Sequence, residues 1–370
     1  MRVTESIADF SPEELDELTA DCLFGKQYLS FVEEEHGSRA RVLYFYERDC
    51  ADGNRLTAFA PAYVYREPIP LTFRLGDFAG GGDAGPFGRW ASHLALGVPV
   101  RLRSRVFTQD PTATRDFLEQ ITEWAGQTGL AAVVLPFVLG SDAALRAGLA
   151  AAGFASAFYE GDFYLDVSGG DIEEFLTSAL ARGPRKRFKN DINHFLSSGL
   201  TVCDIAELGP DATVLADQHR ALMERYNRPA VEFTQESFER FERLVADRRF
   251  IGVRSGDDLI GYSMSLYGHG TMHVLRYGRN DEVQDDSRIY INVGYVEPIK
   301  RAIELGCGRV HWGKSAHRVK TLRGCRHEDG IVYARFLDKR VHRDLSDVFS
   351  RLDVANRERF QALTSGAEPS

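Results

Sequence analysis

The side chains best suited to chemistry in this chain gather between residues 285 and 326. His311 stands in Val310-His311-Trp312-Gly313, a short apolar strand that follows a helical stretch and runs into a glycine loop. An imidazole at the end of such a strand changes charge near neutral pH and can take a proton from a reacting group. The competing reading is a histidine satisfied in the core or at the surface. Asp286 and Glu297 are reserve proton acceptors at the start of, and within, the preceding helix. Pro298 removes the donor that would bond the carbonyl of Gly294, where a kink is sterically easy. Such a kink would tilt Tyr290, Tyr295 or Glu297 toward a cleft; packing is the alternative role.

Charge adds a second signal. The 370 residues hold 54 acidic and 45 basic side chains, a net charge of −9, so general wrapping of nucleic acid is excluded and no DNA partner is expected. That balance conceals segregation: residues 1–35 hold ten acids against two bases, whereas residues 300–326 hold eight bases against one acid, Glu304. A further run, Arg182 to Lys189, has five bases and no acid. Arg185, Arg187, Lys314 and Arg323 are the candidates to hold phosphates or an anionic acceptor, against the alternative of a solvated face.

Other chemistries find no support. The five cysteines are scattered with no C-x-x-C pair, and the histidines lack metal spacing, so reduced thiols and no metal are expected. Gly76 to Gly88 is glycine-rich without the G-K-S/T of a phosphate loop and reads as a loop over an acceptor pocket. The first residues lack an apolar leader core, and no stretch approaches the about 18–20 apolar residues of a membrane span, so a cytoplasmic location is expected.

The elements that must position these residues occur twice in the same order. An apolar hairpin (Arg41 to Tyr65, turning at Asp52-Gly53-Asn54) is followed by a helix at 111–129, a strand at 131–137, a short helix and a strand at 163–167. The second set is a hairpin through Gly256-Asp257-Asp258, a helix at 287–306, a strand at 309–312, a short helix and a strand at 330–336. The repeat implies an α/β fold with mixed sheets in two related domains, 1–168 and 169–338. Asp171 caps a helix from Ile172; a second helix begins at Gly183-Pro184 and carries a core stripe at Phe188, Ile192, Phe195 and Leu196. Residues 339–370 read as an amphipathic C-terminal helix and a disordered tail.

The stretch Tyr295 to Gly324 resembles the Fem-type branch of the GNAT acyltransferases. Tyr295, Ile299, Ala302, Ile303 and Gly306 fit the helix pattern, Val310 to Gly313 the strand and glycine loop, and His317, Lys320 and Gly324 the turn. Arg185-Lys186-Arg187 resembles the family's inter-domain region. The resemblance implies two tandem GNAT-like domains and transfer of an acyl or aminoacyl group to a small-molecule amine, in cell-wall or small-metabolite biosynthesis. It assigns Lys320 to the transfer centre, stabilising the oxyanion or the leaving group, with the amine entering an inter-domain cleft. One departure concerns the donor: Asp285 and Asp286 stand where GNAT enzymes cradle a pyrophosphate, which favours aminoacyl-tRNA over acyl-CoA or a carrier protein. A resident cofactor is not implied. A non-catalytic GNAT-like binding module is the alternative from another class.

Overall fold

The computed structural model describes residues 1–65, 92–99, 103–226, 233–280, 283 and 288–365, the side chain of Leu345 excepted. Asp285, Asp286, the Gly76–Gly88 segment and the last five residues of the tail lie outside the described residues. The chain divides into two compact units, Met1–Gly161 with Glu328–Ser370, and Asp162–His327.

The first unit opens with β1 (Arg2–Thr4), α1 (Pro12–Thr19) and α2 (Lys26–His36). The Ser11 hydroxyl accepts the Glu14 N–H at 3.1 Å while the Glu14 carboxylate accepts the Ser11 N–H at 2.9 Å, satisfying two N–H groups that the first turn leaves unpaired. The hairpin follows as β2 (Ala40–Asp49) and β3 (Arg55–Tyr65), then β4 (His93–Leu96), β5 (Phe107–Thr108), α3 (Thr114–Gln127), β6 (Ala132–Leu139), α4 (Ala143–Ala151) and β7 (Ala155–Asp166). β7 begins in this unit and ends in the other.

The second unit continues with α5 (Ile172–Ser178), α6 (Arg182–Leu196), β8 (Thr201–Asp204), α7 (Asp211–Arg225), α8 (Gln235–Leu244), and the strands β9 (Arg248–Ser255), β10 (Asp258–Gly268) and β11 (Thr271–Arg279). Then come α9 (Ile289–Ile291), a π turn (Asn292–Val296), α10 (Glu297–Glu304), β12 (Arg309–Gly313) and α11 (His317–Leu322). β13 (Arg326–Phe336) leads back to the first unit, which α12 (Lys339–Ser365) completes. On α6 the core stripe is Phe188, Asp191 and Phe195; Leu196, expected inside, is 73% exposed, because it falls one residue past the buried arc.

Strand pairing departs from the sequence segmentation in one respect. In the first unit the order is β1-β2-β3-β4-β6-β13, with β4 and β6 parallel and the other pairs whose register is defined antiparallel. In the second it is β7-β12-β11-β10-β9-β8, with β11 and β12 parallel and the rest antiparallel. The last strand of each set is therefore exchanged: residues 330–336 pair with β6, and residues 163–166 pair with β12. Since both of these segments are short and largely apolar, local pattern alone does not tell which partner each takes. The exchange returns residues 328–338 and α12 to the first unit, against the expected limits of 168 and 338.

In the first unit Val133 and Leu135 of β6 pack with Phe117, Leu118 and Ile121 of α3 and Leu145 and Leu149 of α4. The alternate residues Ala132 and Val134 pack with Val332, Ala334 and Phe336 of β13 and Phe349 of α12, with Val341, Val348 and Leu352 alongside. Burying a side chain the size of Phe349 contributes about 1.5–3 kcal/mol, so α12 is held by its apolar stripe. In the second unit Phe195, Ile251, Val253, Ile260, Ile289 and Val293 form a core beneath the helix that carries the candidate site.

Candidate functional site

Strand β12 is the axis of the site, because its alternation sends His311 to one face and Trp312 to the other. On the His311 face, β11 lies parallel with His273 in register with His311, and β7 lies antiparallel with Tyr164 opposite it. His273 and His311 stack at 5.0 Å with ring planes 17° apart, and the Tyr164 ring is 5.5 Å away. Asp162, two residues from Tyr164 and so on the same face, places Oδ2 3.0 Å from His311 Nδ1. His311, Asp162 and His273 are 5%, 4% and 4% exposed. Arg309 and Arg326 flank the cluster, 4.2 and 5.8 Å over the Tyr164 ring, and both pair with Asp166.

The opposite face is organised by Pro298. Lacking an N–H, it cannot bond the Gly294 carbonyl, and the helix responds with a π turn in which the Glu297 N–H reaches back to Asn292. Trp312 Nε1 donates to the orphaned Gly294 carbonyl at 2.6 Å. That bond sets Trp312 against Tyr295, stacked at 5.2 Å, and Tyr295 against Tyr290, whose hydroxyl is 3.2 Å from its own. Tyr277 continues the row 4.6 Å from Tyr290. Burial raises the hydroxyl pKa of all three tyrosines; the neighbouring Arg323 cation opposes this at Tyr290 and Tyr295.

Lys320 is 3% exposed and also serves this face. Its ammonium donates to the carbonyls of Trp312, Gly313 and Lys314 at 3.1, 2.8 and 2.7 Å and lies 5.2 Å from the Phe163 ring centre. Three carbonyls gathered on one cation hold a tight loop in which Ser315 and Ala316, neither a glycine, sit at φ 61° and 51°. Beyond it, Arg323 donates to Asp191 at 2.5 Å, and Arg288 approaches the same carboxylate at 3.7 Å. Burial pushes the Cys325 thiol up to about 12, against the opposing pull of Lys320 and Arg323.

The structure brings Tyr290, Tyr295 and Arg323 together and separates Lys320 from His311. Lys320 sits on Phe163 and His311 on Tyr164, consecutive residues of β7 that point to opposite faces. The three carbonyls that its ammonium reaches make Lys320 a clamp on the loop. Glu297 is buried beside Lys300, Oε1 to Nζ 2.6 Å, on its own helix. Arg185 donates to the Thr177 carbonyl at 3.2 Å and Arg187 to the Leu322 carbonyl at 3.5 Å. A Cβ on Gly324, at φ 80°, would lie 3.3 Å from Pro184, so the start of α6 rests on the turn after α11 and the two basic runs meet there. Lys314 is half-buried in the clamped loop. Asp162 and Asp191 escaped the sequence reading. The one available signal was an acidic residue inside an alternating strand, which requires a partner when buried.

Residues 182–321, most of the second unit, match the model of the family described as Acetyltransferase (GNAT) domain. No curated protein matches the chain. Among solved structures, FemX superposes at a TM-score of 0.61 with 13% identity, covering 94% of this chain and 100% of that one. The C-terminal domain of a putative lysylphosphatidylglycerol synthetase from Agrobacterium fabrum gives 0.57 at 11% identity, covering 99% and 100%. L-PGS from Bacillus licheniformis gives 0.56 at 10%, covering 92% and 95%. At these identities the likeness is one of fold. Among the described residues no helix is long and apolar enough to cross a membrane.

Proposed function

We propose that the protein is an amide-forming transferase that moves an acyl or aminoacyl group from an activated donor, aminoacyl-tRNA by preference, to a small-molecule amine in cell-wall or small-metabolite biosynthesis. The observation that carries this reading is the buried His311–Asp162 pair on a strand of the GNAT domain. Amide formation needs an amine that loses one proton as it attacks a carbonyl, and a leaving group that gains one. In the reaction proposed, the amine nitrogen bonds to the carbonyl carbon, its proton passes to His311, and the donor C–O bond breaks with the proton returned to the departing oxygen. Tyr290, Tyr295 and Trp312, on the other face of β12, brace the strand that presents His311. Arg185, Arg187, Lys314 and Arg323 hold donor phosphates or an anionic acceptor; the meeting of the two basic runs at Pro184 and Gly324 supports that role.

The preference for a tRNA donor rests on Asp285 and Asp286 preceding the helix and on fold neighbours that include FemX and a putative lysylphosphatidylglycerol synthetase. Acyl-CoA or a carrier protein would use the same proton chemistry with a thiol leaving group. The deciding experiment is amide formation in a lysate reaction, followed by mass spectrometry with and without ribonuclease. Loss of product on ribonuclease treatment is expected; retention moves the donor to a thioester. Failure to form amide from any charged tRNA or thioester pool overturns catalysis in favour of a GNAT-like binding module.

A further inference from the structure

We infer that Asp162 is a positioning residue that holds His311 as the Nδ1–H tautomer, so that Nε2 is the nitrogen that accepts the proton. The catalytic half of this inference rests on the function proposed above; the tautomer half does not.

The geometry leaves little freedom. Asp162 Oδ2 is 3.0 Å from His311 Nδ1, and an ionised carboxylate only accepts hydrogen bonds. A bare Nδ1 at that distance would set two lone pairs against each other. Both side chains are buried, so bulk solvent does not compete for the bond, and the low local dielectric strengthens it. Ring orientation is fixed from both sides, by His273 at 5.0 Å and Tyr164 at 5.5 Å, and each neighbour is placed by strand register. Arg309 and Arg326, which flank the cluster, both bridge to Asp166.

His311 can therefore take the amine proton at Nε2 as the C–N bond forms, keep its Nδ1 proton on Asp162, and return the Nε2 proton to the leaving oxygen as the C–O bond breaks. Asp162 touches neither reactant; it selects the nitrogen that does.

The test is two-bond 1H–15N spectroscopy of the full chain with 15N-labelled histidine, with His311 assigned by its loss in His311→Gln. A protonated Nδ1 and an unprotonated Nε2 at pH 8 are expected. The opposite tautomer in the wild-type protein overturns the inference without recourse to any variant. In Asp162→Asn, whose amide can donate as well as accept, the second tautomer should appear and turnover should fall about 10²–10⁴-fold with KM little changed. An unchanged tautomer with full turnover in that variant also overturns it. The Nδ1–H form in a protein that makes no amide supports the tautomer assignment and counts against the transferase reading alone.

Discussion

Replacing Lys320 with methionine distinguishes a loop clamp from an oxyanion stabiliser. The side chain keeps its length and apolar stem but loses the ammonium that gathers the carbonyls of Trp312, Gly313 and Lys314 at 2.7–3.1 Å. Each hydrogen bond to a charged donor is worth about 1.5–3 kcal/mol, and each buried carbonyl left unpaired costs about 1–3 kcal/mol, with neighbouring losses less than additive. Breaking a buried charged network of this kind costs about 3–5 kcal/mol. Taking about 4 kcal/mol against a urea slope of about 2 kcal/mol/M, the midpoint should fall by about 2 M with the slope unchanged. Lys320→Arg should not restore it, because a planar guanidinium cannot converge on three carbonyls as an ammonium does. Urea denaturation followed by tryptophan fluorescence makes the measurement. An unmoved midpoint with turnover down about 10²–10³-fold is the signature of direct oxyanion stabilisation and would refute the clamp.

Trp312→Phe keeps the ring stack on Tyr295 but leaves the Gly294 carbonyl without its indole donor; a loss of about 1–3 kcal/mol in the same denaturation assay is expected. Pro298→Ala supplies the missing N–H, which competes for that carbonyl, so the Trp312 indole proton should shift and exchange faster by NMR. Cys325, pushed up to about 12, should resist a thiol reagent at pH 8 that labels exposed Cys50. Because burial raises the folded pKa above the ordinary 9.0, the thiol's contribution is complete below about pH 9 and is lost as pH rises toward 12. Cys325→Ala should accordingly flatten the alkaline limb of the stability profile; an unchanged limb counts against the assignment.

The repeated order of elements was legible because each element announces itself locally. Ser11 caps α1, Asp171 caps α5, and short apolar runs mark β6 and β12. The exchange of final strands was not, since β7 and β13 read alike along the chain and differ in the partner they find. Asp162 was invisible for the same reason: its meaning depends on His311, 149 residues away, through the β7–β12 register. His311 was legible as a titratable group on a short strand. Lys320 was legible as a candidate, whereas its contacts were not, because sequence shows a cation and not the three carbonyls that fold around it. Pro298 illustrates an intermediate case. The missing hydrogen bond follows from residue type alone, whereas the π turn and the indole that fills the gap need the helix and β12 side by side.

The five residues of β12 have a consequence for what changes of length the chain can bear. An insertion or deletion of a single residue between Cys307 and His311 would rotate the strand by one position, turning the imidazole toward the tyrosine row and the indole toward Asp162. The His311–Asp162 pair and the Trp312–Tyr295 stack would be lost in one event, with hydrophobicity and charge almost unaltered. Chain length in this stretch is therefore information in its own right.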